Sequence, residues 1–236
     1  MITFVEQTGS TNADLLSRLG ADEHVRESDW LVAQRQVAGR GRQGRQWFDG
    51  AGNFMGSTIV RPGPGDPPAH SLALATGLAV YEAVLPLCPD PSALMLKWPN
   101  DVLLGGAKLA GILLEAAGGA VVVGIGVNLR AAPQLPDRRT IALADVTTPP
   151  APTDFAERLA AAFEAEIIRW RSHGLELLLR RWQAAAHRPG TPLKVHDASG
   201  ETLAGEFAGL DASGALLLRR ADGKTQAVHA GDVVIE

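Results

Sequence analysis

The segment Gly39-Arg40-Gly41-Arg42-Gln43-Gly44-Arg45-Gln46-Trp47 is built to meet an anion. Glycines let a backbone approach a ligand and present its N–H groups, and guanidinium forks match phosphate or carboxylate. Trp47 adds a flat face for a nucleobase. Arg35, Arg40, Arg42 and Arg45 lie between Gln34 and Phe48 with no acid among them, in a chain of net charge -4. The parts suit a nucleotide. A solvated basic loop or an RNA-binding Gly-Arg segment shares the same composition.

A second group is Lys97-Trp98-Pro99-Asn100-Asp101, followed by Lys108-Leu109-Ala110-Gly111. Of the 22 basic residues 18 are Arg, so two of only four lysines falling in one stretch is informative. Lysine offers a compact charge on a flexible stem, which arginine does not. On paired strands, Lys97 and Lys108 would project towards one site. Two ammonium groups there require an anion between them, and a triphosphate with a carboxylate is such an anion. The plainer alternative is two exposed strand lysines. Gly111, and Gly124 and Gly126 within Gly124-Ile125-Gly126-Val127-Asn128, leave bare backbone inside strands. That suits a ligand, a crossing chain or, for Gly111, a bulge.

Other chemistries lack their residues. There is no Walker-type phosphate loop and no Gly-x-Ser-x-Gly elbow. Histidines 24, 70, 173, 187, 196 and 229 show no metal-ligand spacing, so metal ligands stay unassigned. The one cysteine, Cys88, sits among Pro86, Leu87 and Pro89 and reads as packing or surface.

The elements that position these groups follow from periodicity and breakers. Strands are predicted over 3–6, 30–36, 53–61, 94–98, 102–104, 107–115 and 120–129, and helices over 13–19, 69–87 and from Thr153 or Asp154 onward. Gly174 should break the last helix, and residues 37–52 read as a long loop. After Pro189-Gly190 the period becomes two, with strands over 191–198, 201–210, 215–219, 224–229 and 233–235. The expectation is an α+β catalytic domain over 1–188 and a small β-barrel over 189–236.

Composition adds bounds. A chain of 236 residues, 46% hydrophobic and 20% charged, has the make-up of an ordinary soluble globular protein. No run of about 18 uninterrupted apolar residues predicts a membrane span. The start lacks a basic region followed by an apolar one, and a lone cysteine suits a reducing compartment, so a cytoplasmic location is expected. The acidic balance argues against a broad nucleic-acid surface.

Taken in order, Ser10-Thr11-Asn12, the Gly39 to Trp47 loop, Lys97-Trp98-Pro99-Asn100-Asp101, Lys108-Leu109-Ala110-Gly111-Ile112-Leu113-Leu114-Glu115 and Gly124-Ile125-Gly126-Val127-Asn128 resemble the biotin protein ligase family. The resemblance runs from about Thr3 to the C-terminus. It implies a class II aminoacyl-tRNA synthetase-like mixed sheet with helices, followed by an SH3-like barrel. It also implies roles. Ser10, Thr11, Asn12, Gln36, Gly39, Arg40, Gly41, Arg42 and Lys108 would bind biotin, with Gly111, Gly124 and Gly126 as pocket wall. Arg42 and Arg45 would face phosphates, and Trp47 and Asn100 the adenine. Lys97 would contact nucleotide phosphate, and Lys108 the activated carboxylate and α-phosphate. Lys108, Lys97 and Arg42 are the implied catalytic set, with ATP and biotin as substrates and Mg2+ as the accompanying ion. The implied acceptor is the biotin carboxyl carrier domain of acetyl-CoA carboxylase or a related carboxylase, and the implied assembly a monomer or homodimer. Some members carry an N-terminal helix-turn-helix. Here the first predicted strand starts at Thr3, so neither a DNA partner nor a repressor role is expected. A lipoate or octanoate ligase has the same fold type and is the neighbouring alternative.

Overall fold

The computed structural model describes residues 1–196 and 201–235. The strands of the larger part are β1 (Ile2–Thr8), β2 (Trp30–Gln36), β3 (Phe54–Val60), β4 (Leu94–Lys97), β5 (Asp101–Leu104), β6 (Ala107–Ala117) and β7 (Ala120–Val127). Its helices are α1 (Thr11–Gly20), α2 (Leu72–Val84) and α3 (Pro152–Ala185). The strands form one mixed sheet in the order β1-β2-β3-β7-β6-β5-β4, parallel only between β1 and β2.

Alternation along β3 and β7 sends side chains to both faces of this sheet. Val123, Ile125 and Val127 join the large core with α2 and α3, where Trp170, Trp182, Phe155 and Phe163 are fully buried. On the opposite face Ile59 and Val122 pack with Leu15 and Leu19 of α1 in a smaller core. A sheet apolar on both faces reads as continuous apolar strands, as 120–127 does. The stretch Ala69–Leu87 is apolar and long enough to cross a membrane, but most of it is buried against the sheet and α3, which explains its all-round hydrophobicity.

The second sheet is antiparallel, in the order β11-β10-β9-β8-β12, from β8 (Pro192–His196), β9 (Thr202–Leu210), β10 (Leu216–Arg219), β11 (Thr225–Val228) and β12 (Asp232–Ile235). It is fastened to the first part by hydrogen bonds. Trp98 Nε1 donates to Gly214 O at 3.1 Å, Leu210 N to Gln183 Oε1 at 3.0 Å and Lys97 Nζ to Val233 O at 2.8 Å. The end of the predicted strand 191–198 and the Ser199-Gly200 turn lie outside the described residues.

Three local expectations change. Helix α1 begins at Thr11, two residues early, because extended Ser10 is the N-cap and its hydroxyl accepts from Ala13 N at 3.5 Å. Helix α3 begins at Pro152, not after it, since proline at the first helical position forfeits no hydrogen bond. Gly174 does interrupt α3, at φ 69°. The segment 37–52 is not featureless: Gly41 N donates to Arg45 O at 2.7 Å and Trp47 N to Gly39 O at 2.9 Å, closing a tight hairpin.

Candidate active site

The loop, the start of α1 and strands β5, β6 and β7 surround one cavity of about 840 Å³. Its floor follows from register. Gly111 of β6 pairs with Gly126 of β7, and Gly124 pairs with both Leu113 and Ser57 of β3. Paired antiparallel residues share a face, so three glycines bare the backbone on the α1 side of the sheet. The protein's own side chains use that space. A Cβ on Gly124 would lie 2.2 Å from Asn12 Oδ1, and one on Gly126 2.2 Å from Trp47 Cε2. A Cβ on Gly111 would lie 2.9 Å from the same indole. The glycines therefore admit Asn12 and Trp47, side chains that a reading of the strands alone does not supply.

One end of the cavity is a buried polar network. Gln36 Oε1 accepts from Thr11 N at 2.7 Å and from Thr11 Oγ1 at 3.1 Å. Thr11 Oγ1 lies 2.7 Å from Ser57 Oγ, which donates to Asn12 Oδ1 at 2.6 Å. Asn12 Nδ2 donates to Glu115 Oε2 at 2.8 Å, and Arg40 reaches the same oxygen at 3.3 Å. This end offers amide and hydroxyl groups, suited to a compact uncharged polar head.

The other end gathers cations, each met by a group of the protein. Asp101, almost fully buried, lies 3.0 Å from Lys97 Nζ and 2.6 Å from Lys108 Nζ. Burial alone would raise its pKa, but the charges of Lys108 and Lys97 beside it hold the carboxyl well below the usual range. Arg45 pairs with Asp232 of β12, and Arg42 donates to Asn100 Oδ1 at 2.9 Å. Burial works against ionisation of Asp232 too, yet Arg45, with Arg42 and Arg138 beyond it, lowers its pKa. Asn100 Nδ2 donates in turn to Ile112 O at 2.7 Å, fixing the β4–β5 corner against β6. Lys108 Nζ stands 5.8 Å from the centre of the Trp47 ring. The buried Trp47 Nε1 has no acceptor among the described residues.

Ser10, Thr11, Asn12, Gln36, Gly39, Arg40, Gly41, Arg42, Arg45, Trp47, Asn100, Lys108, Gly111, Gly124 and Gly126 all line this cavity. Lys97 does not. Its ammonium is held by Asp101 and by Val233 O of the second sheet. The anion between the two lysines is thus supplied by the protein, where sequence reasoning looked to a ligand. Nor is the arginine loop unbalanced: Asp49, Glu115 and Asp232 pair with Arg35, Arg40 and Arg45. Ser57, Glu115, Asp101, Asp232 and Arg138 escaped the sequence reading. Asp101 and Glu115 stood inside the quoted motifs, and Ser57 is a polar residue in a wholly buried strand.

Comparison with known proteins bears on the whole chain. Residues 5–131 match the model of the biotin/lipoate A/B protein ligase family, and residues 191–235 that of the biotin protein ligase C-terminal domain. A biotin–[acetyl-CoA-carboxylase] ligase of Paracoccus denitrificans is 39% identical, covering 96% of this chain and 97% of the relative. One of Mycobacterium tuberculosis is 40% identical, covering 98% of this chain and 87% of the relative. Among solved structures, a biotin protein ligase from Aquifex aeolicus in complex with biotin and ATP matches with a TM-score of 0.87 at 24% identity, covering 100% of this chain and 99% of that one, a likeness of fold.

Proposed function

This chain belongs to the biotin/lipoate A/B protein ligase family, and from that premise we infer how its cavity works. As a biotin ligase it uses ATP to activate biotin and then transfers biotin to a protein lysine. One observation carries the residue-level reading: a pocket of amide and hydroxyl groups, bordered by the Arg40–Glu115 ion pair, and a cluster of cations share a single cavity over a glycine floor. Biotin pairs a neutral ureido head with a carboxylate tail, so it spans those two ends. Thr11, Asn12 and Gln36 receive the head, with Ser57 behind them bracing Thr11 and Asn12, while Ser10 shapes the pocket as the α1 cap. The carboxylate then reaches Lys108.

A carboxylate oxygen attacks the α-phosphorus of ATP, the bond to the bridging oxygen of the β-phosphate breaks, and pyrophosphate leaves with biotinyl-5'-AMP formed. Both reactants are anions. Lys108, Arg42 and Arg45 offset their repulsion and fix the approach, with fields strengthened by exclusion of water. Lys97 acts through Asp101, holding Lys108 and β12 in place. Trp47 and Asn100 face the adenine. In the second step the amine of the acceptor lysine attacks the carbonyl of the mixed anhydride, AMP departs, and the nitrogen loses its proton.

Mg2+ would be carried by the nucleotide and not by the protein. Among the described residues no three His, Cys, Asp or Glu side chains converge, and Asp101 and Asp232 are already committed to cations. The residues present therefore offer no dedicated cage, and the triphosphate is the ion's natural ligand.

Residues 1–188 form the catalytic domain in this account and 189–236 an SH3-like barrel, a division supported by the family match over 191–235. The acceptor is the biotin carboxyl carrier domain of a carboxylase, the setting cytoplasmic, and the assembly a monomer or homodimer. The polar head pocket and the relatives' names favour biotin over lipoate. Incubating the protein with ATP, Mg2+, biotin and such a carrier domain should give a carrier heavier by one biotinyl group, and an unmodified carrier would refute the transfer step.

Two further outcomes are expected. Gly124→Ala places a methyl group against Asn12 and should disrupt the head pocket. The KM for biotin should rise by about tenfold or more with the KM for ATP little changed, in line with lost buried hydrogen bonds; equal effects on both would deny the pocket its assignment. The loop over 37–52 is pinned by ion pairs whose arginines are 54%, 43% and 42% exposed, and such pairs hold weakly. Amide exchange there should be fast without ligand and slow with biotinyl-AMP; equal protection would oppose closure.

A further inference from the structure

Arg138 lines the same cavity and takes no part in the steps of activation and transfer. We propose that Arg138 is a nucleotide-binding residue that grips the β- and γ-phosphates of ATP and then the pyrophosphate released from them. The proposal rests on the ligase reading of the same cavity.

Its position is fixed by backbone pairing. The segment after β7 returns alongside Lys108: Lys108 N donates to Arg139 O at 2.9 Å and Ile141 N to Lys108 O at 3.0 Å, with a bridge between Lys108 and Thr140. Arg138 is thereby held next to the strand position of Lys108. It lines the cavity, and its side chain is 25% exposed. Its electrostatic neighbours are Asp101, Asp137 and Asp232, which places it at the cation end. Asp101 and Asp232 are the acids that neutralise Lys108 and Arg45. The guanidinium therefore shares the cation end of the cavity with Lys108, so a nucleotide whose α-phosphate meets Lys108 leaves its β- and γ-phosphates for Arg138.

Its present partner is easily exchanged. Nε and Nη2 of Arg138 meet one oxygen of Asp137 at 3.0 Å and 2.5 Å, and Asp137 is 57% exposed. A pair so open to solvent holds weakly. A phosphate offers the same fork a doubly charged partner in a more enclosed place. Lys108, Arg42, Arg45 and Arg138 line this end against Asp101, Asp137 and Asp232, which leaves positive charge to spare for a polyphosphate.

The test measures biotin-dependent release of pyrophosphate, with Arg138→Ala and Arg138→Lys compared with the unaltered protein and folding followed by thermal melts. Loss of a charge-assisted fork should raise the KM for ATP about tenfold or more in Arg138→Ala while the KM for biotin stays within about twofold. Arg138→Lys, which keeps the charge and loses the fork, should fall between. Product inhibition locates the contact. Pyrophosphate should inhibit Arg138→Ala more weakly by a similar factor, and AMP, which lacks the outer phosphates, should inhibit as before. An unchanged KM for ATP, or equal weakening of AMP and pyrophosphate, overturns the assignment. Failure of the unaltered protein to release pyrophosphate with biotin would instead overturn the ligase reading itself.

Discussion

Lys108→Arg is expected to slow biotinyl-AMP formation at least about 100-fold while the protein stays folded. Charge is conserved in this substitution, so the loss must come from shape. Lys108 Nζ is 2.6 Å from Asp101 and 5.8 Å from the centre of the Trp47 ring, and a Cβ on Gly111 would lie 3.1 Å from it. A single ammonium fits among these groups and can turn its three donors to a carboxylate and a phosphate. A guanidinium is planar and wider, and it would push against the indole or displace one reactant. The Arg-rich composition sharpens the point, because lysine stands here in a chain that otherwise favours arginine. Lys224→Arg, at a side chain 85% exposed, is the control and should behave normally. Adenylation by Lys108→Arg at close to the usual rate would mean that only charge matters at this position.

Asp101→Asn should destabilise the protein by about 3 kcal/mol and cripple adenylation as well. Asparagine keeps the size of the side chain and removes the anion between two ammonium groups that are only 15% and 18% exposed. They would then repel each other in a place of poor screening. The sign of the pH dependence follows. The Asp101 carboxyl titrates below its unfolded value, so its stabilisation is complete above that value, near pH 4, and fades as pH falls through the folded one. Thermal melts between pH 3 and 7 should show Asp101→Asn well below the unaltered protein at neutral pH and closer to it in acid. Added pyrophosphate should raise the melting temperature of the variant more than that of the parent, since an external anion replaces the missing one. Coincident melting curves at pH 7 would remove Asp101 from its central place.

Much of the site was legible in the sequence because its parts are local. The Gly-Arg loop, the lysines on a hairpin and the glycines in strands are recognisable one segment at a time, and strand pairing brings them to one face. What could not be read depends on distance along the chain. Asp232 lies in the last strand and meets Arg45 only because β12 packs over the cavity. Arg138 stands in a proline-rich segment with no periodicity, and its place comes from backbone pairing to Lys108. Asp101 was in plain view. Its role emerges only from the geometry that turns Lys97 towards Val233 O and leaves Lys108 facing the cavity. The helix starts were missed for a local reason: Ser10 and Pro152 each do a terminal task one or two positions from where the apolar pattern begins.

Mass spectrometry of the protein after incubation with ATP, Mg2+ and equal concentrations of biotin, lipoate and octanoate separates the three possible acids. Biotinyl-5'-AMP is expected as the dominant adenylate, bound to the protein and formed with one pyrophosphate each. Lipoyl-AMP or octanoyl-AMP in its place, or no adenylate from a folded protein, would contradict the biotin ligase reading.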